Sequence, residues 1–357
     1  MTIHVVADIT GHGYGHLAQI APVLVALREA VPGLRITVRT HVAESVVREM
    51  VGPVTMATPS PFDIGLKMHG PVDVDGEASA AAYAELHADW PAAVAAEASL
   101  LAALRPDLLI SNIGYVGLAG AAAAGVPSVA LSSLNWADMY HCYCGHRPES
   151  ARIHGEILAA YRSARRFIQL TPHMPMTDLP NRCSVGPVVR QGPDCRAALQ
   201  ERIGLRPGEH LAVVTLGGIA MSDEVRALPR LEGLRWLVAA GIRVEREDIL
   251  PAEGLGFAVT DLIKACDVVV TKPGYGTIVG AVCAGTKVIS CTRDDWPETA
   301  VMWSWAERHG AALMISREDL AAGDYGAALA RLLEQPRPAP YLADGALAAA
   351  RLIREMV

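Results

Sequence analysis

Phenylalanine is close to missing from this 357-residue chain, with three in all, and aromatic residues of every kind make up only 5%. A core short of large rings is built from aliphatic side chains in close contact, which is the packing of helices against a buried sheet. With 51% hydrophobic residues against 19% charged ones, a disordered chain is excluded. Basic clusters are missing too. The formal net charge is −7 and the isoelectric point about 5.9. No Lys/Arg run is large enough to neutralise a row of phosphates, so nucleic acid is not an expected partner, whereas a small anion is.

The seven cysteines (142, 144, 183, 195, 266, 283 and 291) lack the spacing of a disulfide framework, and their number is odd. With no secretion signal in view, that usage implies reduced thiols and a cytoplasmic location. His141-Cys142-Tyr143-Cys144-Gly145-His146 has the residue types of a metal centre but no second pair at zinc-site spacing. A loop of aromatic and polar side chains is expected there, and no metal. The amino terminus lacks a positive n-region and a cleavage site and runs directly into a strand pattern at Ile3. From Leu108 to Ala137 no charge occurs, yet glycines, Pro127, Asn112 and serines break the stretch. It reads as strand, helix and strand inside a sheet rather than as an integral membrane segment.

What the chain does contain is alternation. Strand patterns at Ile3–Ile9, Arg35–Thr40, Leu108–Ser111 and Ser128–Leu131 interleave with helix patterns at Leu17–Ala30, Ala43–Met50 and Val116–Ala124. That order predicts βαβ units and a parallel sheet covered on both faces. Pro59 to Gly76 is aperiodic and predicts a long loop over the open edge of the site. Glu77 to Leu104 predicts an alanine-rich helix kinked at Trp90-Pro91. The second half repeats the grammar at Leu211–Thr215, Trp236–Val238, Asp267–Thr271, Lys287–Cys291 and Ala311–Ile315. Five prolines and two glycines between Pro172 and Pro193 mark a linker. The fold class is therefore α/β, with two doubly wound, Rossmann-like domains facing each other across a cleft. Their expected extents are 1–185 and 186–340, followed by a helical run, 341–357, that packs back across the junction.

Two turns carry candidate chemistry. Thr271-Lys272-Pro273-Gly274-Tyr275-Gly276-Thr277 ends a buried strand and opens a helix, so free backbone N–H groups converge where a phosphate could sit, with the Lys272 charge and the Thr277 hydroxyl beside them. Without a ligand the same residues make an ordinary tight turn. Thr10-Gly11-His12-Gly13-Tyr14-Gly15-His16 follows the first strand, and ligands of open parallel sheets bind outside the carboxyl ends of strands. His16 and His12 are general-base candidates there, or they cap a helix or satisfy a buried carbonyl. Asp8 and Asp107 are candidate carboxylate partners for His16, although Asp107 is equally placed to cap a turn. Gly217-Gly218 gives a second close backbone approach in the second half, or a plain turn. Asn112, Asn135 and Trp136 follow strands of the first half and suit a sugar-like acceptor, or an interface for Trp136.

With Gly15-His16 closing the first glycine loop and Asp295-Trp296-Pro297-Glu298-Thr299-Ala300 late in the second half, the chain resembles the GT-B nucleotide-sugar glycosyltransferases. The Thr10–His16 loop is most similar to that of the glycosyltransferase-like part of plant L-arabinokinases and its stand-alone bacterial relatives. The resemblance implies that His16 contacts or deprotonates the acceptor, and the positions of His12, Asn112, Asn135 and Trp136 in the same loop and after neighbouring strands place them as expected acceptor-binding residues. The resemblance implies further that Gly274, Tyr275, Gly276 and Thr277 hold the donor diphosphate, with Asp295 and Glu298 on sugar or ribose hydroxyls; Gly13, Gly15, Gly217, Gly218 and Lys272 are expected to approach the donor from their places in the turns. Trp296 replaces the usual Gln after the aspartate, and Lys272-Pro273-Gly274 stands where plant enzymes carry a histidine-containing motif, so neither sugar nor base is named.

The implied function is transfer of a sugar from a nucleoside diphosphate to a hydroxyl. Fixed N–H groups and a helix end stabilise the departing diphosphate, so neither a metal nor a cofactor beyond the donor is called for. Two alternatives share the architecture: a nucleotide-sugar epimerase, and a catalytically silent sugar-nucleotide-binding protein.

Overall fold

The run His4–Ile9 (β1) is buried at all six positions, because a parallel strand covered by helices on both faces has no solvent side to alternate with. The structure, a computed structural model, describes residues 2–70, 72–190, 192–216, 227–239 and 246–357. These divide into two compact units, one of Met1–Val188 with Asp344–Val357, the other Val189–Ala343.

In the first unit β1 pairs with β2 (Arg35–Arg39), which pairs with β3 (Thr55–Ala57). On its other side it pairs with β4 (Leu108–Asn112), followed outward by β5 (Ser128–Ser132), β6 (Arg166–Leu170) and β7 (Arg182–Val185). Every pairing is parallel. The chain winds outward from β1 to β3 and then returns to β4. Loops after β1 and β4 therefore diverge, and a crevice opens between them at the carboxyl edge. Register brings Asp8, Arg39 and Ser111 into one row across three strands.

The second unit has β8 (His210–Val214), β9 (Leu234–Val238), β10 (Ile249–Pro251), β11 (Val268–Thr271), β12 (Lys287–Cys291) and β13 (Ala312–Ile315) in the order β10-β9-β8-β11-β12-β13. Its switch point lies between β8 and β11. Trp236, fully buried, supplies the bulk of one side of this aliphatic core and meets Tyr325 edge-on at 6.5 Å. Among the described residues no helix is long and apolar enough to cross a membrane.

Three local expectations are corrected. The proline-rich stretch 172–193 is not wholly linker: its centre is β7, paired in parallel with β6. His141–Cys144 is not loop but the end of the helix Trp136–Cys144, started by the Asn135 side chain accepting from the Asp138 N–H. The Glu77–Leu104 run is two helices, Gly76–Leu86 and Trp90–Leu104, separated by a single 3₁₀ turn at His87–Asp89, with Pro91 in the first turn of the second helix, where no N–H is lost.

Candidate functional site

The loop after β1 turns through Gly13, whose φ of +77° is the left-handed conformation glycine adopts without strain, and re-enters a helix at Gly15. This sets His16 in the first turn, buried, with Nδ1 2.8 Å from Asn112 Oδ1 at the end of neighbouring β4. The Asn112 amide donates from Nδ2 to Gln19 Oε1 (3.3 Å), which also accepts from Ser132 Oγ (3.2 Å), while Gln19 Nε2 donates to Ser133 Oγ (2.6 Å). As the two amides stand, Asn112 Oδ1 faces His16, so that Nδ1 carries the imidazole proton and Nε2 keeps its lone pair.

Neither carboxylate expected to partner His16 does so. Asp107 accepts from the His4 N–H at 2.7 Å and closes the start of β1. Asp8 faces the opposite side of the sheet, where Arg39 Nε lies 3.2 Å from its Oδ1 and Arg39 Nη2 lies 2.5 Å from Glu97 Oε1. Two carboxylates share one guanidinium and Glu97 has the closer contact. Burial, reinforced by Glu97 and Asp63 and opposed by Arg39, raises the Asp8 carboxyl to about 7. Burial also lowers His16 to about 4, with the Asn112 hydrogen bond opposing and the His12 charge assisting. A lowered value is what a helix amino end would also produce, but desolvation is the larger cause.

The long loop after β3 is pinned to this edge. Asp63 accepts from Thr10 Oγ1 and from the Gly11 N–H (3.1 Å), and Ser60 Oγ donates to Glu97 Oε2 (2.8 Å). Burial raises the Asp63 carboxyl despite these donors. Between loop and sheet lies a crevice of about 20 Å³, lined among others by Asp8, Arg39, Asp63, Gly114 and Trp136. It holds about one water-sized group. Of the residues proposed for the acceptor, only Trp136 lines it. The Trp136 ring stands 5.8 Å from that of His12 and 5.9 Å from that of His16, and so joins the crevice to the histidine pair. Asn112 orients His16, and Asn135 is the cap of the next helix with both amide atoms engaged by Asp138. Asp63, Gln19 and Arg39 were not singled out from sequence.

In the second unit Lys272 to Thr277 follows β11 at the switch point. Gly274 is the N-cap of the helix Tyr275–Ala284 and, as a glycine, brings no capping side chain of its own. Lys272, Gly276 and Thr277 are half-buried and Tyr275 is buried. Gly217 and Gly218, expected beside them, lie outside the described residues. After the adjacent strand β12, Arg293 stacks 4.1 Å from the Trp296 ring, whose Nε1 donates to buried Glu298 (3.2 Å). Asp295 is the more exposed carboxylate, 3.9 Å from Arg293.

No family model matches the chain. It is 25% identical over 327 residues to L-arabinokinase of Arabidopsis thaliana, covering 89% of this chain and 31% of that one. With an uncharacterized glycosyltransferase of Methanopyrus kandleri it shares 25% over 182 residues, 47% of this chain and 53% of the other. The chain thus spans roughly a third and half of these relatives. The solved glycotransferase of kitacinnamycin matches with a TM-score of 0.64 at 16% identity over 100% of this chain and 99% of its own. The calicheamicin glycosyltransferase CalG4 matches at 0.62 and 15% over 99% and 95%, and VinC in complex with dTDP at 0.57 and 18% over 99% and 95%. At these identities the likeness is one of fold, and the fold is that of the GT-B glycosyltransferases.

Proposed function

We propose that this protein is a glycosyltransferase moving a sugar from a nucleoside diphosphate donor to a hydroxyl acceptor by direct, inverting displacement. The observation that carries the proposal is His16, a buried neutral imidazole held in one tautomer by uncharged amides and hydroxyls. As the new C–O bond forms, the acceptor hydroxyl becomes strongly acidic, so even a base of lowered pKa takes its proton late in the displacement. An amide partner orients the ring without charging it. Trp136 and His12 complete the acceptor side, and Gly13 and Gly15 keep the first loop open.

On the donor side, the amino end of Tyr275–Ala284 with Lys272 and Thr277 stabilises the leaving diphosphate, and the Gly274 and Gly276 backbone approaches it closely. Asp295, with Glu298, takes sugar or ribose hydroxyls. The dTDP bound to VinC supports a nucleotide donor. The reaction as proposed uses no metal or cofactor, and the site of action is cytoplasmic.

The test is product analysis with UDP, dTDP and GDP sugars and a panel of hydroxyl acceptors. Release of nucleoside diphosphate together with a glycosylated acceptor is expected. Isomerised donor without acceptor would favour the epimerase, and saturable donor binding without turnover a sugar-nucleotide-binding protein.

A further inference from the structure

We infer that Tyr161 is a positioning residue of the candidate site: its buried phenol clasps the segment that holds His16 to the segment that carries Trp136. This rests on the reading of His16 as the base of a transfer to a hydroxyl, and goes beyond it to the residue that keeps the base in place.

The supports of His16 stand on two neighbouring loops. After β4, the Asn112 side chain accepts from His16 Nδ1, and the Asn112 carbonyl accepts from the Thr10 N–H (2.8 Å), so one residue holds both ends of the Thr10–His16 loop. After β5, the Trp136 ring lies beside the rings of His12 and His16. The last pair in the register of β4 with β5 is Ser111 with Ala130, so the strand ladder ends short of both supports. One bridge past that point is the Gln19 amide, which joins Asn112 to Ser132 and Ser133. A second comes from Tyr161, on the helix Ser150–Ser163. Its hydroxyl donates to the Ile113 carbonyl at 2.7 Å and accepts from the Trp136 N–H at 3.1 Å.

These two bonds cannot exchange roles, because a carbonyl only accepts and a backbone N–H only donates. The Trp136 N–H is the first of its helix, where the helix itself offers no acceptor. Tyr161 is fully buried, and burial, against the Trp136 N–H, holds its phenol well above the ordinary tyrosine range, so it keeps the proton that it gives to Ile113. The clasp is itself anchored: Phe167 meets the Tyr161 ring edge-on at 5.3 Å, and Asn181 Nδ2 donates to the Tyr161 carbonyl at 3.0 Å. A phenylalanine would fill the same space and join neither loop. Since a displacement of about 1 Å at a reacting group costs about 10²-fold in rate, a clasp remote from the reacting atoms still governs it.

The experiment is NMR of the histidine-labelled full chain, without donor, on the parent, Tyr161→Phe and Leu27→Val, with His16 assigned by the signals missing from His16→Gln. Leu27 is buried in the last turns of the helix that His16 opens, and losing a methylene there lowers stability away from the site. In Tyr161→Phe the His16 Nδ1 proton should exchange with water at least about tenfold faster than in the parent, and kcat for sugar transfer should fall at least about tenfold at unchanged donor affinity. In Leu27→Val neither should change. Parent-like His16 exchange in folded Tyr161→Phe overturns the clasp, as does an equal acceleration in Leu27→Val. Amide exchange in the parent tests it without a substitution: the Trp136 N–H should be protected at least about a hundredfold, and an unprotected one overturns the clasp. The exchange measurements need neither donor nor acceptor, so the clasp stands or falls by them even where the parent transfers no sugar and the transferase reading fails.

Discussion

At the scale of single residues, His16 is expected to act through chemistry rather than binding. His16→Ala should retain donor affinity and lose about 10²–10⁴ in kcat, and a parent-like rate in the folded variant would remove its role. Because its pKa is lowered to about 4, the acid limb of kcat/KM belongs near that pH. In Asn112→Asp a carboxylate stands where an amide now faces Nδ1, which raises the histidine and moves the limb upward. An unmoved pH profile would deny the positioning of His16 by residue 112. Linkage gives an independent check. Lowered in the fold, His16 binds fewer protons than in the unfolded chain between about 6.5 and about 4, so its contribution, roughly 3 kcal/mol, is complete above that window and lost as pH falls through it. Asp8, raised from 3.8 to about 7, has the opposite slope: its contribution is lost as pH rises through that range. Between about pH 4 and 6.5 the two oppose, and urea midpoints of the parent should barely change from pH 7 to pH 5. Asp8→Asn removes one slope and should unmask clear acid destabilisation. The histidine was legible in the glycine loop, whereas its partner was not. A search for carboxylates near His16 in sequence passes over a neutral amide 96 residues away. Asp63 was hidden for a related reason, lying in an aperiodic loop that no pattern ties to Thr10.

At the scale of elements, the strand-to-helix turn after β11 was the most legible part of the chain, since β11 and β12 are near-continuous apolar runs and a glycine turn separates strand from helix. The lettering around His141 misled because Cys and His suggest a site, whereas the Asn135 cap and the buried positions Trp136, Met139 and Tyr140 at helical spacing make it a helix. Strand β7 was missed because an edge strand of four residues bounded by prolines looks like linker. If the turn after β11 grips a diphosphate, Thr277→Ala should weaken nucleoside diphosphate binding about 10- to 150-fold, the loss of one hydrogen bond to a charged group at about 1.5–3 kcal/mol. Gly276→Val, which blocks backbone approach, should be worse. Calorimetric titration with UDP and dTDP decides it, and an unchanged affinity in folded Gly276→Val would withdraw the phosphate role from this turn.

At the scale of the whole molecule, the first unit is discontinuous in sequence and the second is not. Helix Gly345–Arg354 packs on helix Gly15–Ala30, with Ala349, Ala350 and Ile353 buried. Gly345 N–H donates to Pro187 O (3.1 Å), and a Cβ at residue 345 would fall 1.9 Å from Gly186 O, so the two segments cross only because glycine stands there. Amphipathic spacing announces a helix in 341–357 but cannot name the surface it covers, because that contact joins residues some 330 positions apart in the chain. Removing 344–357 strips a buried isoleucine and two alanines from the first unit and uncovers the helix beneath. The cost should be on the order of 2–5 kcal/mol, comparable to emptying one large core position, and confined to that unit. In scanning calorimetry the truncated chain should lose stability in one transition and keep the other, and the fragment 189–343, continuous with its own core, should show the retained transition by itself. Two unshifted transitions in the truncated chain would mean that the terminal helix is not part of the first unit's core, and an unfolded 189–343 fragment would mean that the second unit does not stand alone.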